Sequence, residues 1–166
     1  MKSRTTKSIA LAGVLALSLS GCALLAPVAT QHPYDPSDGV GADVSHVDVR
    51  NLLLIADKPG GTYNVVFTAV NEAEATELDM TFVAANGKKE SVSFDLQPGS
   101  TKVGDLTNLQ TRKLLQLGNQ EIGSTVTTYL TVEGENVEVY VPVLDGTLEE
   151  YKQYVPTAAD TAITQN

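Results

Sequence analysis

The sequence predicts an all-β domain, a β-sandwich of immunoglobulin-like or related Greek-key type with about seven strands. Three observations support this prediction. Apolar residues alternate with polar ones in several segments, these segments are rich in β-branched residues, and turn signals separate them about every 8–12 residues. The chain has one cysteine and no tryptophan, so it cannot form the buried disulfide and tryptophan of an antibody-type domain.

The first strands are predicted from two segments. Residues 44–55 begin with alternation at Val47 and Val49 and end in a continuous apolar run, residues 52–55. Residues 63–70 are rich in the β-branched and aromatic residues that favour strands.

A hairpin is predicted around Asn86 and Gly87. Both residues tolerate the positive φ angles of a type I′ turn, and together they are the strongest hairpin signal in the chain. The pattern places on one buried face Leu78, Met80, Phe82, Ala84, Val92, Phe94 and Leu96. Residues 125–132 and 137–143 flank a second predicted hairpin with its turn at residues 134–136. Residues 106–118 fit either a short helix capped by Gly118 or an irregular crossover.

The N-terminus has the pattern of a bacterial lipoprotein signal. Basic residues precede an apolar run at residues 9–19, which is shorter than the about 20 residues needed to span a bilayer. Residues 19–23, Leu-Ser-Gly-Cys-Ala, resemble a lipobox. Cleavage is therefore predicted between Gly21 and Cys22, with lipid attached to Cys22. The alternative is an ordinary secretory signal in which the cysteine falls there by chance.

Four regions follow from this pattern. Residues 1–21 are the cleaved signal peptide, 22–40 a flexible lipidated tether, 41–146 the β-sandwich, and 147–166 a C-terminal segment that is partly disordered, particularly after Tyr154. Stable attachment requires more than one acyl chain, which lipidation of Cys22 would supply. The predicted location is the extracytoplasmic (outer) face of the cell membrane.

The charge balance is strongly acidic. The whole chain carries a formal charge of −9, and removal of the three basic residues in the signal leaves eight basic and twenty acidic residues, a charge of −12. This argues against nucleic acid as a partner, since nucleic-acid binding requires clustered Lys and Arg. The acidic surface either serves solubility or offers a docking face to a basic partner.

No motif for catalysis is present. His32 lies in the tether, and His46 with Asp48 in the first strand is either a catalytic dyad or a solvent-facing pair, the second being favoured. Glu72, Glu74 and Glu77 form an acidic turn without the spacing of a calcium loop. We therefore predict a protein that is not an enzyme and has no cofactor.

Three tyrosines lie outside the predicted strands. Tyr34 is in the tether, and Tyr151 and Tyr154 follow the last strand. Tyrosine is enriched at protein interfaces, so these residues are candidates for contact with a partner. The alternative is that Tyr151 or Tyr154 folds back on the sandwich.

Three blocks carry a family resemblance: residues 32–41, 48–57 and 139–151 resemble the LpqE-type lipoproteins of actinobacteria. The resemblance implies an accessory subunit on the outer face of the respiratory supercomplex that joins a cytochrome bcc complex to an aa3-type oxidase. The family is similar, more distantly, to periplasmic copper chaperones of the PCu(A)C type, which implies a cupredoxin-like sandwich.

The copper function does not transfer with this resemblance. Those chaperones hold Cu(I) with paired Met and His ligands, because soft thioethers select that ion. After cleavage this chain keeps a single methionine, Met80, on the predicted buried face. Two functions remain: a non-catalytic interaction subunit of a membrane complex, and, as the alternative, a metal (copper) or small-ligand carrier that assists oxidase assembly.

Overall fold

The computed structural model describes residues 37–160, and these fold into strands, a short 3₁₀ helix and, at residues 158–160, helical backbone. The predicted all-β class is confirmed. The strands are β1 (Val40–Val44), β2 (Val47–Ala56), β3 (Tyr63–Asn71), β4 (Thr76–Val83), β5 (Lys89–Leu96), β6 (Gly99–Val103), β7 (Leu114–Leu115), β8 (Thr125–Val132) and β9 (Glu135–Leu144). The 3₁₀ helix is Glu149–Tyr154. Within residues 37–160, no helix has the length and apolar character to cross a membrane.

The strands form one curled path in the order β5-β4-β8-β9-β2-β3-β6, with β1 paired to β2 and β7 to β3. We call β4, β5, β8 and β9 the front sheet, and β1, β2, β3, β6 and β7 the back sheet. The two are joined where β9 ends, because Val143 and Leu144 pair in parallel with Leu54 and Ile55 of β2. The chain crosses between sheets after β3, β5 and β7, as in Greek-key sandwiches.

The core lies between the two sheets, and the predicted alternation accounts for it. Leu78, Met80 and Phe82 of β4 are fully buried, while their neighbours Asp79 and Glu77 are exposed. From β5, Phe94 and Leu96 enter the same core. The ring of Phe94 meets that of Phe67 edge to face, with 4.9 Å between centroids, which joins the two sheets.

The continuous apolar run in β2 has its own explanation. Leu52 and Leu54 enter the main core, whereas Leu53 and Ile55 point to the opposite face. There they form a second cluster with Val66 of β3, covered by the C-terminal segment. The strand is apolar without alternation because both of its faces are buried.

The predicted hairpins are confirmed, but their turns differ from the prediction. At the first, only Gly87 has positive φ (82°); the Gly87 N–H donates to the Ala84 oxygen, and the Ala84 N–H donates to the Lys88 oxygen. This is the three-residue loop of a type I turn followed by a glycine bulge, not a type I′ turn. At the second, Glu133 (φ 51°) and Gly134 (φ 88°) form a type I′ pair, one residue earlier than predicted.

Two segments differ from the sequence prediction. Residues 44–55 are not one strand, because Ser45 takes φ 53° and turns β1 back onto β2. Residues 106–118 contain no helix; they form turns and the short strand β7, in which Leu115 is buried against the core. The irregular crossover is therefore the correct alternative.

The described domain extends past the last strand. β1 starts at Val40, and β9 ends at Leu144. The expectation of disorder after Tyr154 is wrong for residues 155–160, because Val155 packs on the second cluster and Asp160 forms an ion pair with Arg112. Residues 161–166 lie outside the described part.

Candidate functional site

The predicted interface tyrosines lie partly inside and partly outside the described residues. Gly21, Cys22 and Tyr34 fall outside them. Tyr151 and Tyr154 are both on the 3₁₀ helix and are half-buried against the second cluster. The structure therefore shows that these two rings fold back, onto the outer face of the back sheet. Their contribution to an interface stays a prediction.

The hydroxyl of Tyr151 fixes the position of the start of the domain. It donates a hydrogen bond of 2.6 Å to Oδ2 of Asp38. Burial, followed by this contact with a carboxylate, raises the pKa of Tyr151 to about 12. The first described residues thus contact the C-terminal helix. The sequence did not predict this contact, because the two segments are far apart along the chain.

Tyr154 is held by its backbone and by its ring. The buried amide of Asn64 donates to the Tyr154 oxygen at 3.0 Å and to the Gly104 oxygen at 2.8 Å. The Lys102 ammonium lies 5.9 Å from the centre of the Tyr154 ring, a cation–π contact. The 3₁₀ helix is therefore an integral part of the domain.

A cleft of about 420 Å³ opens between β5 and β6, the two edge strands of the curled path. Its walls include Ser93, Phe94, Thr101, Gln110 and Lys113. The Lys113 ammonium lies 6.0 Å from the centre of the Phe94 ring. The volume falls within the range of small-ligand sites, and the lining mixes polar, charged and apolar side chains. Sequence reasoning missed this cleft, because the residues come from two strands and a crossover of no recognisable pattern.

The possible dyad of His46 and Asp48 does not form. His46 is in the turn between β1 and β2, where its Nδ1 lies 3.8 Å from a carboxylate oxygen of Glu133. Asp48 instead pairs with Arg50 at 3.1 Å. The placement of His46 in a strand was wrong, because the left-handed conformation of Ser45 ends β1 just before it.

The metal candidates are dispersed. Glu72, Glu74 and Glu77 are exposed, and Met80 is fully buried in the core as predicted. Within residues 37–160, no three His, Cys, Asp or Glu side chains are arranged to hold a metal ion.

The outer face of the front sheet carries a second pair of tyrosines that sequence reasoning did not single out. Tyr129 of β8 lies directly opposite Glu138 of β9, and Tyr140 is two residues further along β9. The Tyr140 hydroxyl donates to Glu138 Oε1 at 2.8 Å. Interaction with the Glu138 carboxylate, through hydrogen bonding and then through its charge, raises the pKa of both tyrosines. The alternation in β8 and β9 was the signal that could have found them.

Comparison with known proteins adds no family. No protein-family model matches the chain, and no curated protein sequence matches it.

Proposed function

We propose that this protein is an extracytoplasmic lipoprotein that serves as a non-catalytic accessory subunit of a membrane complex. The observation that carries the proposal is the lipobox at residues 19–23, which would place a lipid on Cys22. The domain that follows begins with β1 at Val40. The resemblance to LpqE-type lipoproteins supports the actinobacterial bcc-aa3 respiratory supercomplex as that complex.

The mechanism of such a subunit is an increase in effective concentration. The 15 residues 23–37, up to the fixed Asp38, would span about 21 Å as a flexible coil and about 50 Å when fully extended. A domain held within that distance of the membrane meets its partner at high local concentration, so a weak interface is occupied. The acidic surface favours a partner that presents basic residues.

Purification of the native complex tests the proposal. A tagged full chain is isolated in mild detergent, and co-purified haem is measured by reduced-minus-oxidised difference spectra. We expect c-type and a-type cytochromes at a fixed ratio to the tagged chain. A chain that is recovered without cytochromes, under conditions that keep the supercomplex intact, contradicts the proposal.

The anchor makes a separate prediction. Cys22→Ser should prevent lipid attachment and leave uncleaved precursor or released protein, measured by membrane fractionation and mass spectrometry of the N-terminus. Ser20→Ala is the matched control, because it keeps a small residue in the lipobox and the cysteine itself. Lipid mass on the Cys22→Ser chain would refute the assignment of Cys22.

A second candidate function, carriage of a small ligand, is favoured by the cleft between β5 and β6. Copper is the less favoured cargo, since Met80 is fully buried and a metal could reach its sulfur only if the core opened. Titration of the purified domain with Cu(I) tests the copper form of this candidate. Sub-micromolar affinity that disappears in a Met80→Leu variant would support the carrier and contradict an interaction-only role.

A further inference from the structure

The two outer faces of the sandwich differ in a way that bears on docking. On the back sheet, Leu53, Ile55 and Val66 are covered by the C-terminal segment of the same chain. On the front sheet, Tyr140 leaves 60% of its surface exposed, which makes it one of the few large hydrophobic side chains so open to solvent within residues 37–160. The outer face of the front sheet is therefore the uncovered one, and it presents the exposed ring of Tyr140.

The two front tyrosines are fixed in place before any partner arrives. Tyr129 faces Glu138 across the β8–β9 ladder, and Tyr140 lies diagonally beside it. The Tyr140 hydroxyl donates to the Glu138 carboxylate at 2.8 Å, and the same glutamate is the cross-strand partner of Tyr129. The hydrogen bond restricts the Tyr140 ring, so less side-chain entropy is lost on binding.

The surroundings of this pair are also ordered by cross-strand hydrogen bonds. Thr81 Oγ1 lies 2.8 Å from Ser91 Oγ, and the Asn136 amide donates to Thr131 Oγ1 at 2.8 Å. An aromatic centre within a polar, pre-organised rim is the usual composition of a protein interface.

The charge of the face indicates the chemistry of the partner. Glu77, Asp79, Asp95 and Glu138 are exposed on these four strands, and Lys89 is the exposed lysine at their end. A planar guanidinium can stack on tyrosine rings and donate hydrogen bonds to the free lone pairs of a carboxylate. Arginine therefore matches both components of the site.

We infer that the outer face of the front sheet is the docking surface, and that its occupant is a protein segment which inserts an arginine beside Tyr129, Glu138 and Tyr140. This inference rests on the proposed function, and it specifies which face of the domain performs it. The guanidinium pairs with Glu138 while its plane lies against the exposed Tyr140 ring. The remaining carboxylates steer the basic partner and set the salt dependence.

The test uses the tagged, lipidated full chain and the haem recovered per chain. Glu138→Lys and Tyr140→Ala should each lower the recovered haem at least about tenfold, as for centres of interfaces generally. Glu74→Lys is the matched control: it makes the same charge change at an exposed residue in the turn between β3 and β4, and should leave recovery unchanged. Wild-type recovery should also fall as salt is raised.

The outcomes are distinct. A wild-type chain without haem contradicts the proposed function itself. Wild-type haem that persists in both front-face variants overturns the docking surface and leaves the proposed function standing. An equal loss in Glu74→Lys shows a general charge effect, which also overturns it.

Two further measurements keep the inference testable. If the melting curve of Glu138→Lys shows an unfolded chain, Thr127→Lys decides, because Thr127 faces Tyr140 across the ladder without sharing the carboxylate. Haem that stays at the wild-type level in a folded Thr127→Lys chain overturns the inference. Sedimentation of the purified chain tests whether a second copy of this chain occupies the face instead. A dimer that dissociates in the Tyr140→Ala variant would overturn the arginine-bearing partner in favour of self-association.

Discussion

Arg112 and Asp160 form the least exposed ion pair within residues 37–160, with 2.9 Å between Nη1 and Oδ1. The Arg112 side chain is only 5% exposed, and that of Asp160 18%. Arg112 also donates to the Leu106 oxygen at 3.0 Å. The pair therefore ties the C-terminal segment to the crossover between β6 and β7.

Asp160→Asn should lower the free energy of unfolding by about 2 kcal/mol, measured by urea denaturation. The expected value lies between the 3–5 kcal/mol of a fully buried pair and the about 1 kcal/mol or less of an exposed one. Asp105→Asn is the control, since exposed Asp105 accepts the same two bonds from a threonine, Thr107, without a buried arginine. A larger loss for Asp105→Asn would contradict this account of the ion pair.

The same carboxylate gives the domain an acid dependence of known sign. Hydrogen bonds from Thr157, then the charge of Arg112, lower the pKa of Asp160 below its ordinary value of 3.8. The unfolded chain thus binds the proton more tightly than the folded one. Stability from Asp160 is complete above about pH 4 and is lost as the pH falls through the folded pKa. Urea midpoints from pH 6 down to about 3 should fall less steeply in Asp160→Asn.

Tyr151→Phe should remove from the ultraviolet titration curve a step near pH 12. The pKa of Tyr151 is raised from 10.0 to about 12, so its proton stabilises the fold below about pH 10, and that contribution is lost between about pH 10 and 12. The difference between the wild-type and variant ultraviolet titrations isolates this group. A difference that titrates near pH 10 would mean that the Tyr151 hydroxyl is neither buried nor bonded to Asp38.

Alternation predicted the core faces of this fold because each side chain there points either towards the other sheet or towards solvent. Leu78 and Met80 follow this rule. Leu53 and Ile55 do not, and their burial could not be assigned until the C-terminal helix was placed on them. The continuous apolar run signalled a strand buried on both faces, but it could not identify what covers the second face.

Turns and sites were less predictable. Asn86 and Gly87 correctly predict a hairpin. Its loop has three residues instead of the two of a type I′ turn, and only the glycine adopts positive φ. Glutamate has no preference for positive φ, and the β8–β9 register imposes this conformation on Glu133. The cleft and the Tyr129–Tyr140 pair each join different strands, so their assembly depends on pairing that no local pattern encodes.

Glu133→Asn should raise the free energy of unfolding by about 0.5–1 kcal/mol, because asparagine followed by Gly134 is the preferred type I′ pair. The gain is reduced by loss of the exposed contact with His46 at 3.8 Å, which is worth little. Asn86→Glu is the reciprocal control: Asn86 is not among the residues with positive φ, so the substitution removes the exposed bond from the Lys88 N–H to its side chain but no conformational preference. A destabilised Glu133→Asn domain would contradict the strain argument.

A chain that ends at Gly146 should be strongly destabilised, which distinguishes a structural C-terminal segment from one that serves only an interface. Removal of the C-terminal segment exposes Leu53, Ile55 and Val66. Each apolar side chain of this size contributes about 1.5–3 kcal/mol when fully buried. It also takes the Tyr154 oxygen from the buried Asn64 amide. We expect a loss of at least about 3 kcal/mol in urea denaturation. A chain that ends at Asp160 keeps these contacts and is the control. An unchanged midpoint in the shorter chain would show that Tyr151 and Tyr154 are free to serve a partner alone.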